Sequence, residues 1–237
     1  MVVAPLIRKL DKIHGLTAEE RQALEKLPAT LRDFSPGEDI VREGDKPTMV
    51  CMVVDGTAFR YTIVEPGKRQ IMACYIPGDI PDLEGLFLKT MDHSLGVLRS
   101  CTIAQIPHDA ILRIFEDQPR LGEVFWRETL IDSAVMRKWL ACVGRRSPMS
   151  CIAHMICEFV ARMQAVGLSD GVTCDFPMTQ TELGDAAGLS TVHINRTLRD
   201  LRKLGLVTWG IHSVTIHDWA GLAQVAQFDP AYLQLPR

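Results

Sequence analysis

No apolar run in this 237-residue sequence approaches the roughly 18 residues that cross a membrane, so no spanning segment is expected. Residues 1–14 lack the charged, apolar and small-residue succession of a secretory leader. Their Leu6, Ile7, Leu10 and Ile13 follow helical spacing instead, and a cytoplasmic location is expected. Seven cysteines, Cys51, Cys74, Cys101, Cys142, Cys151, Cys157 and Cys174, form no CxxC pair, which removes the usual signals of a disulfide framework or a thiolate metal site. They read as reduced, mostly buried small apolar residues. Also missing are a phosphate-cradling glycine loop, a nucleophile elbow and an HExxH ligand pair, so no enzyme activity, metal or resident cofactor is expected. His154 and Glu158 stand one helical turn apart, a spacing common to surface pairs. Overall basicity is absent as well: the net charge is −3, and any case for nucleic acid must rest on where the charges cluster.

What is present falls into three textures, with 47% apolar residues to build a core. Near the start, Thr17-Ala-Glu-Glu20 spells a capping box, in which Thr17 and Glu20 each satisfy a free amide at a helix start; that helix ends near Pro28. Over residues 31–107, short runs rich in Val, Ile, Tyr and Thr alternate with Gly37, Gly44, Gly56, Gly67 and Gly78. Residues 50–54, 58–64 and 70–76 read as strands, with turns at Asp55-Gly56 and Glu65-Pro66-Gly67. Strands so short and so evenly punctuated predict an antiparallel roll or barrel. From Asp109 to about Arg146 the pattern is helical. Leu121, Val124, Ile131, Val135 and Cys142 form a stripe, its gaps filled by Glu128 and Trp139, that predicts pairing with a second copy; Phe125 and Trp126 are expected to pack on the chain's own roll. Ser147-Pro148 supplies a cap and a first-turn proline, so a new helix starts there and the break is a hinge candidate.

Residues 178–205 are the most informative. Thr179 and Glu182 form a second capping box, opening a helix with Leu183, Ala186 and Ala187 inward, and Gly188 ends it. Ser190 or Thr191 then caps a second helix, buried through Ile194, Leu198 and Leu201. Two short helices about a glycine turn make a helix-turn-helix. Arg196, Arg199, Arg202 and Lys203 on the second helix face a single acid, Asp200. Thr191, His193, Asn195 and Arg196 lie toward its N-terminus, the end that meets base edges in a major groove. Residues 206–209 and 213–216 read as a two-stranded wing around Gly210, with His212 at its tip in reach of a phosphate.

With these elements in this order, nearly the whole chain resembles the cyclic-AMP receptor protein and FNR family of bacterial transcription regulators. Gly37-Glu38-Asp39-Ile40, Glu43-Gly44-Asp45, Asp55-Gly56, Gly67-Lys-Arg-Gln70 and Pro77-Gly78-Asp79 look like that family's β-roll, and residues 178–216 like its DNA-binding domain. The resemblance implies an α+β chain. A β-roll sensor with N-terminal helices spans 1–118, a dimerisation helix 119–146, and a winged helix-turn-helix 147–237. It implies a homodimer on a palindromic site in double-stranded DNA, RNA polymerase as a further partner, and an effector signal passed through the hinge. The DNA-binding set is Thr179, Gln180, Ser190, Thr191, Val192, His193, Asn195, Arg196, Arg199 and His212. The effector pocket would draw on Asp82, Leu83, Glu84, His93, Ser94, Met136 and Arg137.

Two departures limit the transfer. Where cyclic-AMP binders carry a glutamate and an arginine, this chain aligns Leu83, with Glu84 one place off, and His93. A mostly neutral histidine replaces the fixed charge that a phosphate needs, and Asp82 would repel the anion further. Cyclic nucleotide is therefore disfavoured, and an unidentified effector remains open, as does a pocket collapsed around Leu83, Phe87 and Leu95. No cysteine precedes Cys51, against the family's iron–sulfur sensors, which cluster three near the N-terminus; haem on His93 or Cys74 and a thiol switch at Cys142 or Cys151 are minor variants. In the second helix, Val192 stands where the family commonly has glutamate, which exchanges a cytosine contact for a touch on a thymine methyl. The competing readings are a cyclic-nucleotide-responsive regulator with an atypical pocket, and a regulatory subunit that does not bind DNA.

Overall fold

The structure, a computed structural model, describes residues 1–235. It divides into two compact units: residues 1–62 with 73–132, and residues 63–72 with 133–237.

The first unit opens with helices α1 (Ala4–His14) and α2 (Ala18–Glu25). The capping box at Thr17 and Glu20 forms as the residue pattern requires. Seven strands follow, β1 (Thr30–Phe34), β2 (Asp39–Val41), β3 (Met49–Asp55), β4 (Ala58–Glu65), β5 (Lys68–Tyr75), β6 (Ser94–Val97) and β7 (Cys101–Pro107), the end of β4 and the start of β5 being counted with the second unit. They make two sheets, in the orders β1-β7-β3 and β2-β6-β4-β5; β7 runs antiparallel to β1 and β3, and β6 antiparallel to β2 and β4. The expected roll is present. In β3, Val50 and Met52 pack with the helices, while Cys51 and Val53 pack with Ala58, Leu95 and Ile103 on the opposite side. The strand therefore has no wet face, which is why residues 50–54 show no alternation of polarity.

The expected helix from Asp109 is two helices, α3 (His108–Asp117) and α4 (Pro119–Arg145). Gln118 at φ −134° breaks the spiral ahead of Pro119, which cannot supply the amide needed to continue it. The stripe on α4 faces opposite to expectation. Leu121, Val124, Val135 and Cys142 are buried within the chain and cannot form a seam with another copy. The exposed apolar residues are Trp126, Leu130, Met136, Leu140 and Val143. At about 100° per residue they share an arc of roughly 140° on the other side of the helix. Phe125 is buried as anticipated, but Trp126 is 64% exposed.

The second unit holds α5 (Pro148–Ala165), β8 (Thr173–Asp175), α6 (Gln180–Ala187), α7 (Thr191–Lys203), β9 (Val207–Trp209), β10 (Ser213–Ile216) and α8 (Trp219–Ala226). Ser147 caps α5 through the amide of Ser150, with Pro148 in its first turn. The wing carries a third strand that the sequence pattern did not reveal, since β8 has only three residues; the order is β8-β10-β9. His154 and Glu158 are not a surface pair. Both are buried: Tyr232 and Trp139 donate to the Glu158 carboxylate at 2.6 and 3.1 Å, and Arg146 lies 3.1 Å from His154 Nδ1.

Candidate nucleic-acid interface and sensor cluster

The turn between α6 and α7 is tight enough to fix both helices. Gly188 adopts φ +66°, the left-handed region that glycine enters without penalty. At Gly184 an added Cβ would lie 2.6 Å from the Leu189 carbonyl, so the close approach of turn to helix admits no side chain there. Ser190 caps α7 through the amide of His193. Ile194, Leu198 and Leu201 point inward, and Thr191, Val192, His193, Asn195, Arg196 and Arg199 all stand exposed on the outward face. Among the described residues neither Arg196 nor Arg199 has an ion-pair partner, whereas Lys203 reaches Asp200 at 3.8 Å.

The remaining DNA candidates differ in how free they are. Thr179 is occupied by its capping box, its hydroxyl accepting from Glu182 N–H and its own N–H donating to the Glu182 carboxylate. Gln180 starts α6 and is half-buried. The Ser190 hydroxyl lies 3.0 Å from His193 Nδ1, so those two side chains lean on one another. Asn195 donates one N–H to the Thr191 carbonyl at 3.0 Å. His212 is exposed beside Ile211 in the β9–β10 turn.

In the roll, the positions aligned with a nucleotide pocket surround a side chain that sequence reading missed. Arg60 of β4 is 4% exposed. Its guanidinium donates to Glu84 at 2.7 Å, Asp132 at 2.8 Å, the Pro81 carbonyl at 2.6 Å and His93 Nε2 at 3.1 Å. His93 Nδ1 lies 2.7 Å from Asp92. Burial and the neighbouring Arg60 hold the His93 pKa below the usual histidine value, so the ring is neutral, with its proton on Nδ1 and its Nε2 lone pair accepting from Arg60. Both ring nitrogens are spoken for, and neither is free for a haem iron. Ser94 is spent on a backbone contact, its hydroxyl accepting from Glu43 N–H at 3.0 Å.

Two expectations for this pocket are corrected. A buried arginine is present after all, supplied by β4 rather than by the segment around His93. Phe87 is 73% exposed and takes no part in a collapsed core, although Leu83 and Leu95 are buried. Met136 and Arg137 stand exposed on α4, and the same helix contributes Asp132 to the Arg60 cluster.

Two families match the chain: the cyclic nucleotide-binding domain over residues 31–118 and the Crp-like helix-turn-helix domain over residues 152–225. The chain belongs to the CRP/FNR family. This CRP/FNR-family chain is 26% identical over 217 residues to the transcriptional activator protein FnrL of Cereibacter sphaeroides, covering 90% of this chain and 86% of that protein. To the nitrogen fixation regulation protein FixK of Bradyrhizobium diazoefficiens it is 28% identical over 204 residues, covering 85% and 83%. Its fold is that of FixK2 from Bradyrhizobium japonicum, with a TM-score of 0.76 at 21% identity over 84% of this chain and 98% of that one. No helix among the described residues is long and apolar enough to cross a membrane.

The roll of this CRP/FNR protein holds one further acid with an unusual environment. Asp82 is turned into the core rather than toward an anion site: its Oδ1 accepts from Cys51 N–H at 2.8 Å, and Oδ2 is a buried oxygen with no hydrogen-bond partner among the described residues. Burial pushes its pKa up from 3.8 to about 7. The folded state therefore keeps a proton that the unfolded chain releases near pH 4, and this group's contribution to stability falls as pH rises from about 4 to 7. Relative to wild type, Asp82→Asn should gain stability over that window by up to about 4 kcal/mol. Urea unfolding of both proteins across the pH series measures it; a stability difference that does not change with pH would remove the assignment.

Proposed function

We propose that this transcription regulator binds a palindromic DNA site as a homodimer, reading bases with the outward face of α7, and that its roll responds to something other than a cyclic nucleotide. The observation that carries the DNA reading is the pairing of unneutralised Arg196 and Arg199 with exposed Val192 and Asn195 on one face of α7, at the N-terminal end suited to the major groove. Arg196 is assigned to a guanine through O6 and N7, Asn195 to an adenine, and Val192 to a thymine methyl. Thr191, His193, Gln180 and His212 are assigned to the phosphate backbone, where they set register without reading sequence. Thr179 and Ser190 serve chiefly as caps.

The exposed arc on α4 supports the homodimer, because five large apolar side chains on one helix face are unusual on a free surface. Two copies joined there would present their recognition helices about one helical turn apart. RNA polymerase is the proposed further partner and the cytoplasm the proposed location; no catalytic role, metal or resident cofactor is proposed.

Against cyclic nucleotides stands the Arg60 cluster. A phosphate would have to displace two carboxylates that already satisfy the guanidinium, and their negative charge would oppose its approach. Absence of any cysteine before Cys51 likewise argues against an iron–sulfur cluster.

Selection from random duplexes, followed by titration of the recovered site, tests the DNA reading. Arg196→Ala should lower affinity by about 1–3 kcal/mol and relax preference at one base pair in each half-site without altering the fold. A protein that recovers no preferred sequence would defeat it.

A further inference from the structure

The β9–β10 hairpin that follows α7 ends in a turn of two residues, Ile211 and His212. Val214 pairs with Trp209 and Thr215 with Thr208, and the Gly210 N–H closes the turn by donating to the Ser213 carbonyl at 2.7 Å. From the other side, Phe176 N–H donates to the His212 carbonyl at 3.0 Å, which ties the tip to the chain leaving β8. At the base of the hairpin, Trp209 meets Phe176 edge-on with ring centroids 4.8 Å apart, and Phe176 meets Phe159 of α5 at 5.0 Å. The tip is therefore held in one place before any ligand arrives, which lowers the entropic cost of using it.

What it presents is apolar. Ile211 is 86% exposed, and the next most exposed large apolar side chain among the described residues is Val192, at 77%, on the outward face of α7. Single exposed apolar residues are ordinary on a protein surface. Here the two extremes fall on the two elements that would meet DNA, the helix and the wing. Ile211 has no donor, acceptor or charge to offer a phosphate, whereas His212 beside it has a ring nitrogen that can donate.

We infer that Ile211 enters the minor groove beside each half-site and makes the protein prefer A·T pairs there, at positions that α7 does not touch. The inference deepens the DNA-binding reading above and rests on it.

The reach of the hairpin suits that groove. Because α7 packs on β9, the tip is fixed relative to the recognition helix. The three residues of β9 carry it about 10 Å past the end of α7. From the centre of a major groove about 12 Å wide, the neighbouring minor groove lies at a distance of that order.

The chemistry of the side chain selects the base pair. A·T pairs show only acceptors in the minor groove, and a G·C pair adds the guanine N2 amino group. Against isoleucine both kinds of pair lose water from their acceptors, but only G·C also strands a buried donor. Isoleucine is among the apolar side chains that wedge between base steps from this groove, which T-A steps permit most easily.

The test uses the full-length protein and duplexes that carry a selected site with the pairs outside each half-site randomised. Selection should return A·T at one or two flanking positions on each side. Exchanging those pairs for G·C should weaken wild-type binding about fivefold, the lower end of what one unfavourable base pair costs. Exchanging them for inosine–cytosine should not, because inosine lacks the N2 amino group yet keeps the major-groove edge of guanine. Ile211→Ala should bind all three duplexes alike, about as weakly as wild type binds the G·C one, and should keep the wild-type urea transition because the side chain it loses stands in water. His212→Ala, by contrast, should lose the same factor on every flank. Equal weakening by G·C and inosine–cytosine would place the contact outside the minor groove and overturn the inference, as would an Ile211→Ala protein that still discriminates the flanks. A half-site recovered with no flanking preference overturns the inference and leaves the DNA-binding reading standing; recovery of no sequence at all overturns both.

Discussion

Arg60→Ala should destabilise the roll by about 3 kcal/mol, seen as an earlier urea transition of the full chain. The guanidinium bridges Glu84 and Asp132, and its removal takes the charged donor from two carboxylates, a carbonyl and His93 Nε2, leaving Asp132 only the weaker Tyr75 hydroxyl at 3.4 Å. Breaking a buried ion pair from one side typically costs about 3–5 kcal/mol. The lower end applies because Glu84 and Asp132 keep 23% and 27% of their side-chain surface in water, which can rehydrate them. Arg60→Ala with Glu84→Gln should recover part of the loss, since one uncompensated charge disappears. A single variant as stable as wild type would show that the cluster is not what closes this part of the roll.

Leu140→Glu should abolish dimerisation at micromolar concentration and lower DNA affinity by more than 100-fold, while leaving the protomer folded. Leu140 is 72% exposed in the protomer, so the charge costs nothing there. In a paired α4 it would be buried beside its own copy, where an isolated carboxylate is strongly disfavoured. A monomer must hold its half-site alone, without the second recognition helix to share the entropic cost of association. Sedimentation equilibrium and DNA titration together check both halves. The informative contrast is Val135→Glu, which should unfold the protein rather than divide it, because Val135 is 3% exposed within the chain. Were Leu140→Glu to remain dimeric, the seam would lie elsewhere.

How much of this could be read from residues alone depends on the distance over which each feature is encoded. The capping boxes at Thr17 and Thr179, the caps at Ser147 and Ser190, and the left-handed turn at Gly188 are fixed within four residues, and all form as the pattern requires. The face of α7 was legible for the same reason, since one helix carries both its buried and its exposed stripe. Arg60 was not legible. Its partners lie 24 and 72 residues away, and nothing local distinguishes an inward arginine in Ala58-Phe59-Arg60-Tyr61 from one that lies along the surface. The α4 stripe shows an intermediate case. Its period was correct, but the helix has two apolar faces, and periodicity does not say which one the chain keeps for itself. The charge of Asp82 is legible in the sequence but its direction is not, because the hydrogen bond that turns it inward comes from a backbone amide on a strand 31 residues earlier.

The double burial of β3 also bears on how the roll finds its alignment. A strand with one wet side is held in step because sliding by one residue would drown its apolar half. Here such a slide merely trades Val50 and Met52 for Cys51 and Val53, two sets that oil accepts almost equally. The alignment must instead come from polar clasps: the Asp82 carboxylate on the Cys51 amide, and the Val53 backbone bonded to both Gly78 and Asp79. A strand that grease alone would leave free to slip is pinned by three hydrogen bonds.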